Sequence, residues 1–229
     1  MALDNKTIIF FSSDNGATFE VGGVNRFFFI SNGGLRGAKT DLFEGGIREP
    51  LIARWPWKIA AGTTSELVSV QFDMMATLAE LTQQKPVYTD GISLLPELTS
   101  NHTAQLQHPY LYFEFPENGG QLAIRMGNWK GVKTDMRQHP ENKWMLFNLD
   151  DDRNETTDLA DQHPELIKKF ETIVIKEHYN AHIKEWEFVN PKLKYKKWKI
   201  TPINQPVLLL LSLNTIVPKD DLAIYWHKF

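Results

Sequence analysis

The stretch TIIFFSSDNGATF, residues 7–19, decides how the chain folds. Ile8, Ile9, Phe10 and Phe11 form a β-branched and aromatic run, read as a strand over Thr7–Ser13. The run is apolar at odd and even positions alike, as in a central strand covered by helices on both faces of an α/β sheet. It then breaks into Ser12, Ser13, Asp14, Asn15 and Gly16. In open α/β sheets, ligands gather just beyond the carboxyl ends of strands. A carboxylate and an amide carbonyl are hard oxygen donors, suited to Ca²⁺ or Mg²⁺ rather than zinc or copper. Asp-Asn-Gly is equally a turn sequence, and on these three residues alone an Asx-type turn is the simpler account.

Downstream lies GGLRGAKTDLFEGGIREP, residues 33–50, where Arg36, Lys39, Glu44 and Arg48 stand among glycines. Five glycines between Asn32 and Gly46 argue for a loop rather than a helix or a central strand. An ammonium on a tight glycine loop serves as a point charge for a tetrahedral oxyanion. A solvated surface loop with incidental charges would have the same composition.

Beyond the loop, PLIARWP (50–56) reads as a short buried strand closed by proline. Leu67, Val70, Met74, Leu78 and Leu81 recur at helical spacing, predicting a core-facing helix over 67–81 capped by Asp73 or Ser69. From residue 109 the texture changes. YLYFEF (110–115), LAIRMGNWKGVK (122–133) and WMLFNLD (144–150) predict a three-stranded antiparallel meander. A helix follows, with Pro164 in its first turn and Leu166, Phe170, Ile173 and Val174 on one face. The implied organisation is a core over 1–105, a small antiparallel-sheet and helix subdomain over 106–190, and an irregular tail over 191–229. The tail contains the strand-prone run VLLLLSLNTIV (207–217).

Composition narrows the function. At 229 residues, 42% hydrophobic and 23% charged, the chain can bury a real core. A net charge of −3 gives no electrostatic reason to expect nucleic acid. The absence of cysteine excludes disulfides, thiolate metal sites and a cysteine nucleophile. No transmembrane segment is expected, since the longest apolar run is about half the roughly 20 residues that span a bilayer. No signal peptide is visible at residues 1–6, and the compartment stays open. All seven histidines lie at His102 or beyond; His102, His108, His139 and His163 fall in turns or beside prolines, which predicts surface positions.

Together, FFSSDNG, GLRGAKTDLFEGGIREPLIARWP, VSVQFDMMATLAEL and DGISLLPEL resemble consecutive motifs of the arylsulfatase-type sulfatases. AIRMGNWKGVK, LFNLDDDRNETTDLA and HPELIKKF resemble that family's terminal subdomain, in the same order. The resemblance runs from about Asp4 to about Phe188. It implies an α/β fold of the alkaline-phosphatase-like superfamily, with a mixed sheet and a small α+β subdomain. It also implies sulfuric ester hydrolysis of an aryl sulfate or sulfated carbohydrate. By the family pattern Asp14 and Asn15 complete a divalent-cation site, usually Ca²⁺. Lys39 contacts the sulfate, and Arg36, Glu44 and Arg48 shape or brace its loop.

The chain departs from that family in one respect above all. The family's nucleophile is a formylglycine made within a Cys-x-Pro-Ser-Arg or Ser-x-Pro-Ser-Arg motif, and neither occurs here. The amino-terminal aspartate pair and the upstream histidines have no counterpart either. The expectation is half a site. Alone, the chain is expected neither to hydrolyse sulfate esters nor to hold metal tightly. It is also expected to self-associate or stay molten unless the missing amino-terminal half or a companion chain completes it. The alternatives are a non-catalytic binding or assembly module, with Tyr110, Tyr112, Phe113, Phe115 and Trp129 stacking on sugars, and a phosphodiesterase or phosphotransferase of the same superfamily.

Overall fold

A computed structural model describes residues 3–18, 25–85, 88–183 and 186–189. The tail over 191–229, with its leucine-rich run, lies outside the described residues. Strands β1 (Ile9–Ser12) and β2 (Leu51–Arg54) form an antiparallel pair with Ile9 opposite Arg54 and Ser12 opposite Leu51. Strands β3 (Leu111–Phe115), β4 (Gln121–Met126), β5 (Trp129–Lys133) and β6 (Met145–Asn148) form a second sheet in that order, all neighbours antiparallel. The described helices are α1 (Arg26–Phe29), α2 (Glu44–Ile47), α3 (Asp73–Leu81), α4 (Leu95–Leu98) and α5 (Pro164–Glu177).

The second sheet has four strands, not three. LAIRMGNWKGVK is a hairpin, β4–β5, turning at Gly127-Asn128 with Met126 opposite Trp129. Gly127 adopts φ 59°, the left-handed conformation that a tight two-residue turn demands.

Period-two alternation sends the side chains of this sheet to two different cores. Leu122, Ile124 and Leu146 face α5, where they meet Leu166, Phe170, Ile173 and Val174. These four helix residues are the face that the spacing predicted. Phe170 is fully buried and packs against Gly131, where an added Cβ would come 2.5 Å from its ring. Ala123, Val132, Phe147 and Leu149 face the other way and pack on Leu42 and Phe43 of the glycine loop. The terminal sheet is therefore the floor of that loop.

Three other expectations change. PLIARWP does form a strand, but Leu51 and Ile52 are exposed rather than buried, as are Ile9 and Phe11 on the paired strand. A two-stranded ribbon has too little of its own mass to cover either face. The 67–81 helix begins only at Asp73, because Asp73 Oδ2 accepts the Val70 N–H and turns the chain back before the first helical residue. Its stripe is only half covered: Leu67, Val70, Met74 and Leu81 are half-buried and Leu78 is exposed. His108, expected at the surface, is only 8% exposed, its Nε2 bonded at 2.9 Å to the fully buried Asp73. Neither its turn position nor Pro109 reveals a partner 35 residues earlier.

The end of α5 is fastened by His178, whose side chain is 2% exposed. Its Nδ1 lies 2.6 Å from Glu114 Oε1 on β3, and its Nε2 lies 3.2 Å from Glu187 Oε1. Burial opposes the charge on the ring, but the two glutamates prevail and raise its pKa above 6.5. A raised histidine pKa stabilises fully below the unfolded value and loses that contribution as pH climbs through the folded one. Thermal melts are expected to show the subdomain losing stability as pH rises above the ordinary histidine range of about 6.5. His178→Gln should flatten that slope, and an unchanged slope would count against the latch.

Candidate functional site

Two backbone hydrogen bonds sew the end of β1 to the glycine loop. The Gly16 N–H donates to Gly46 O and the Lys39 N–H to Ala17 O, both at 2.9 Å. The seam requires glycines: a Cβ on Gly16 would fall within 3.0 Å of Gly45 O, and one on Gly46 within 3.0 Å of Asp41 O. Gly45 in turn donates to Arg36 O at 2.6 Å. Asn32 ties the loop internally through Leu35 O at 2.6 Å and Gly37 O at 3.0 Å. The segment bearing Asp14 and Asn15 and the segment bearing Lys39 are thus held together by main chain, and Asp14 and Lys39 are both exposed.

Gly16→Ala tests this seam, because its methyl group has only backbone to displace. The expected cost is at the upper end of the roughly 1–3 kcal/mol typical of overpacking, with loss of hydrogen-exchange protection at the Lys39 amide. Gly34→Ala, whose Cβ would meet nothing within 4 Å, should carry only the strain of its φ of 80° and leave that amide protected. Equal protection in both variants would refute the seam.

Arg36, Glu44 and Arg48 point to the floor rather than to the seam. The Arg36 guanidinium lies 3.9 Å from the Phe43 ring centroid and donates to Glu155 O at 2.7 Å. Glu44, 2% exposed, meets Arg48 at 3.1 Å and Lys130 Nζ at 2.9 Å; Arg125 Nη1 lies at 3.8 Å. Lys130 is also 2.9 Å from Glu155 Oε1, and neither residue is exposed. Burial pushes the Glu44 carboxyl up, but Lys130 and the two arginines bring it below its ordinary value; at Glu155 burial wins and the pKa rises. Glu155 Oε2 further accepts the Glu44 N–H at 2.6 Å. Gln121 bonds Leu42 N–H at 3.1 Å and Thr40 O at 2.8 Å.

Gln121, Arg125, Lys130 and Glu155 escaped the reading of the sequence. Part of the signal was there, since Gln121 and Arg125 flank an apolar run in β4, and a buried polar strand residue needs a partner. Glu49 was passed over too. Its Oε1 is buried without a hydrogen-bond partner, and burial together with the charge of Asp14 raises its pKa. Among the described residues no three His, Cys, Asp or Glu converge as a metal cluster. The aromatic side chains of these strands are half-buried, with Tyr110, Tyr112 and Trp129 packed on the α5 side and Phe113 and Phe115 on the loop side.

Residues 2–84 match the family model described as Sulfatase. Bovine arylsulfatase A is 31% identical over 190 residues, covering 72% of this chain and 36% of that protein. The N-acetylgalactosamine-6-O-sulfatase of Bacteroides thetaiotaomicron is 30% identical over 192 residues, covering 76% of this chain and 37% of that one. A solved structure from a Bacteroides thetaiotaomicron locus for the metabolism of multiple glycosaminoglycans superposes with a TM-score of 0.62 at 27% identity, over 76% of this chain and 39% of that one. The chain therefore spans little more than a third of the length of these relatives. It belongs to the sulfatase family, with the α/β fold of the alkaline-phosphatase-like enzymes.

Proposed function

We propose that the chain is the carboxyl-terminal part of a sulfuric ester hydrolase, supplying Lys39 to the sulfate and Asp14 and Asn15 to a divalent cation. The observation that carries this reading is the main-chain seam, which sets the Lys39 loop beside the Asp14 turn. Lys39 would neutralise charge on the sulfate oxygens as it builds in the transition state. The main-chain seam would fix the backbone that carries that ammonium.

The chemistry of the donor set fits Ca²⁺ or Mg²⁺: Asp14 and Asn15 offer oxygen only, and the orphaned Glu49 carboxyl adds negative potential nearby. Two donors fall well short of the roughly six to eight that Ca²⁺ takes, so the remaining ligands would come from outside this chain. When bound, such an ion supplies positive charge to the ester oxygens. The nucleophile would also come from elsewhere, since no cysteine and no Ser-x-Pro-Ser-Arg occur among the 229 residues. The exposed faces of β1, β2 and α3, with Phe11, Ile52 and Met75, are where the completing polypeptide would seat.

The test is complementation. The chain alone should show no aryl sulfate turnover and only weak calcium binding by calorimetry. Joined to the amino-terminal portion of a family relative, it should gain both, and Asp14→Asn should weaken calcium binding in the joined protein. Turnover by the purified chain alone, above a Lys39→Ala control, would overturn the reading.

A further inference from the structure

On the α5 side of the terminal sheet, Ile175 is 60% exposed, Tyr179 39%, Ile183 45% and Trp186 53%. The sheet separates them from the glycine loop, since Leu42 and Phe43 pack on its other face. They are therefore distinct from the apolar faces of β1, β2 and α3. Ile175 follows the buried Leu166 by about two and a half helical turns, so it faces outward, in line with the exposed Lys168 and Thr172.

A fastened segment presents these side chains. Phe188 and Val189 are buried in the core beneath α5, and a Cβ added to Gly120 would come 2.9 Å from the Phe188 ring. Glu187 accepts the Ala181 N–H at 3.0 Å, while its Oε1 lies 3.2 Å from His178 at the helix end. The Trp186 N–H donates to Ile183 O at 2.9 Å, which keeps those two residues together. Single apolar side chains are ordinary on a surface, but several gathered at one helix end mark an interaction site.

The charge around the patch is basic. Its acids are engaged: Glu171 takes Lys133 and the Trp144 Nε1–H, both at 2.7 Å, and Glu177 takes the Tyr110 hydroxyl at 2.6 Å. Lys168, Lys169 and Lys176 are exposed along the helix. Past the described residues the sequence continues KLKYKK (192–197), with four lysines and no acid between Phe188 and Lys197. Chain length alone keeps Lys192 within about 11 Å of Val189. The net charge of −3 for the whole chain conceals this local excess of cations.

We propose that this patch seats on an anionic lipid bilayer, lying on it rather than spanning it. Ile175, Ile183 and Trp186 enter the headgroup region, and the lysines meet the lipid phosphates and carboxylates. An indole suits that boundary, because its ring is apolar while its N–H stays wet. Each lysine near such a surface strengthens binding by about fivefold. A soluble polyanion would engage the lysines alone and leave the isoleucines in water, so the combination favours lipid. Seated this way, the chain keeps its Lys39 loop on the opposite side of the terminal sheet from the bilayer.

The test co-sediments the full chain with vesicles of phosphatidylcholine, with and without phosphatidylserine. Vesicles containing phosphatidylserine should bind it at least about tenfold tighter, and salt on the order of 1 M, where the Debye length is about 3 Å, should erase that preference. Changing Ile183→Ser and Trp186→Ser together should weaken binding at least about tenfold, the usual effect of withdrawing a large apolar side chain from burial. Changing Lys194→Gln and Lys196→Gln together should weaken it about 25-fold. Ile52→Ser on the β1–β2 ribbon and Leu209→Ser in the tail should leave it unchanged. Equal binding to both kinds of vesicle overturns the proposal, as does binding that survives the Ile183 and Trp186 changes or is lost in Ile52→Ser or Leu209→Ser. Heparin bound as tightly as the anionic vesicles, and indifferent to the Ile183 and Trp186 changes, would assign the lysines to a polyanion and overturn the lipid surface.

Discussion

Lys130→Met is expected to unfold the terminal sheet and release the glycine loop from it. Lys130 is a fully buried cation shared between the buried carboxylates of Glu44 and Glu155, at 2.9 Å from each. Removing it strands two carboxyl groups in a place with little water, and breaking one partner out of a buried pair costs about 3–5 kcal/mol. Against a total stability of roughly 5–15 kcal/mol, that is enough to empty the native state of a small unit. Urea unfolding followed through the buried Trp144 would measure it. The triple change Lys130→Met, Glu44→Gln, Glu155→Gln should recover part of the loss, because the cost lies in the unpaired charges. A midpoint unchanged in Lys130→Met would mean that water reaches the cluster.

The second large effect is catalytic. In the complemented enzyme, Lys39→Ala is expected to lower kcat for an aryl sulfate by about 10²–10³, the usual consequence of deleting one preorganised group that stabilises developing oxyanion charge. KM should move much less, since the interaction strengthens as the S–O bond breaks. Lys39→Arg should recover little, because a planar fork on a longer stem presents its donors differently from a compact ammonium. Equal kcat in wild type and Lys39→Ala would remove Lys39 from the chemistry.

How much of this was legible depended on whether the signal was local. The α5 face was legible because Leu166, Phe170, Ile173 and Val174 encode their own period. The β4–β5 turn was overlooked although Gly-Asn between apolar runs announces it. The helix start at Asp73 and the burial of His108 rest on one carboxylate that takes partners from residues 70, 92 and 108, and no window of sequence spans those. The Asp14–Lys39 juxtaposition was suggested by ordered motifs, while the Gly16–Gly46 hydrogen bond behind it is a pairing of distant backbone. Least legible was the floor: Gln121, Arg125 and Lys130 look like surface residues until the loop is laid over them.

That floor sets a rule for anyone recombining such proteins. Because the loop from Thr40 to Glu44 is bolted through Gln121 and Lys130 to strands some eighty residues later, and through Glu155 to the segment after β6, a chimera with its crossover between those segments inherits mismatched halves of one joint. Swaps that carry loop and sheet together keep the joint whole, and libraries built on that division should give far more working hybrids than libraries cut at the apparent domain border.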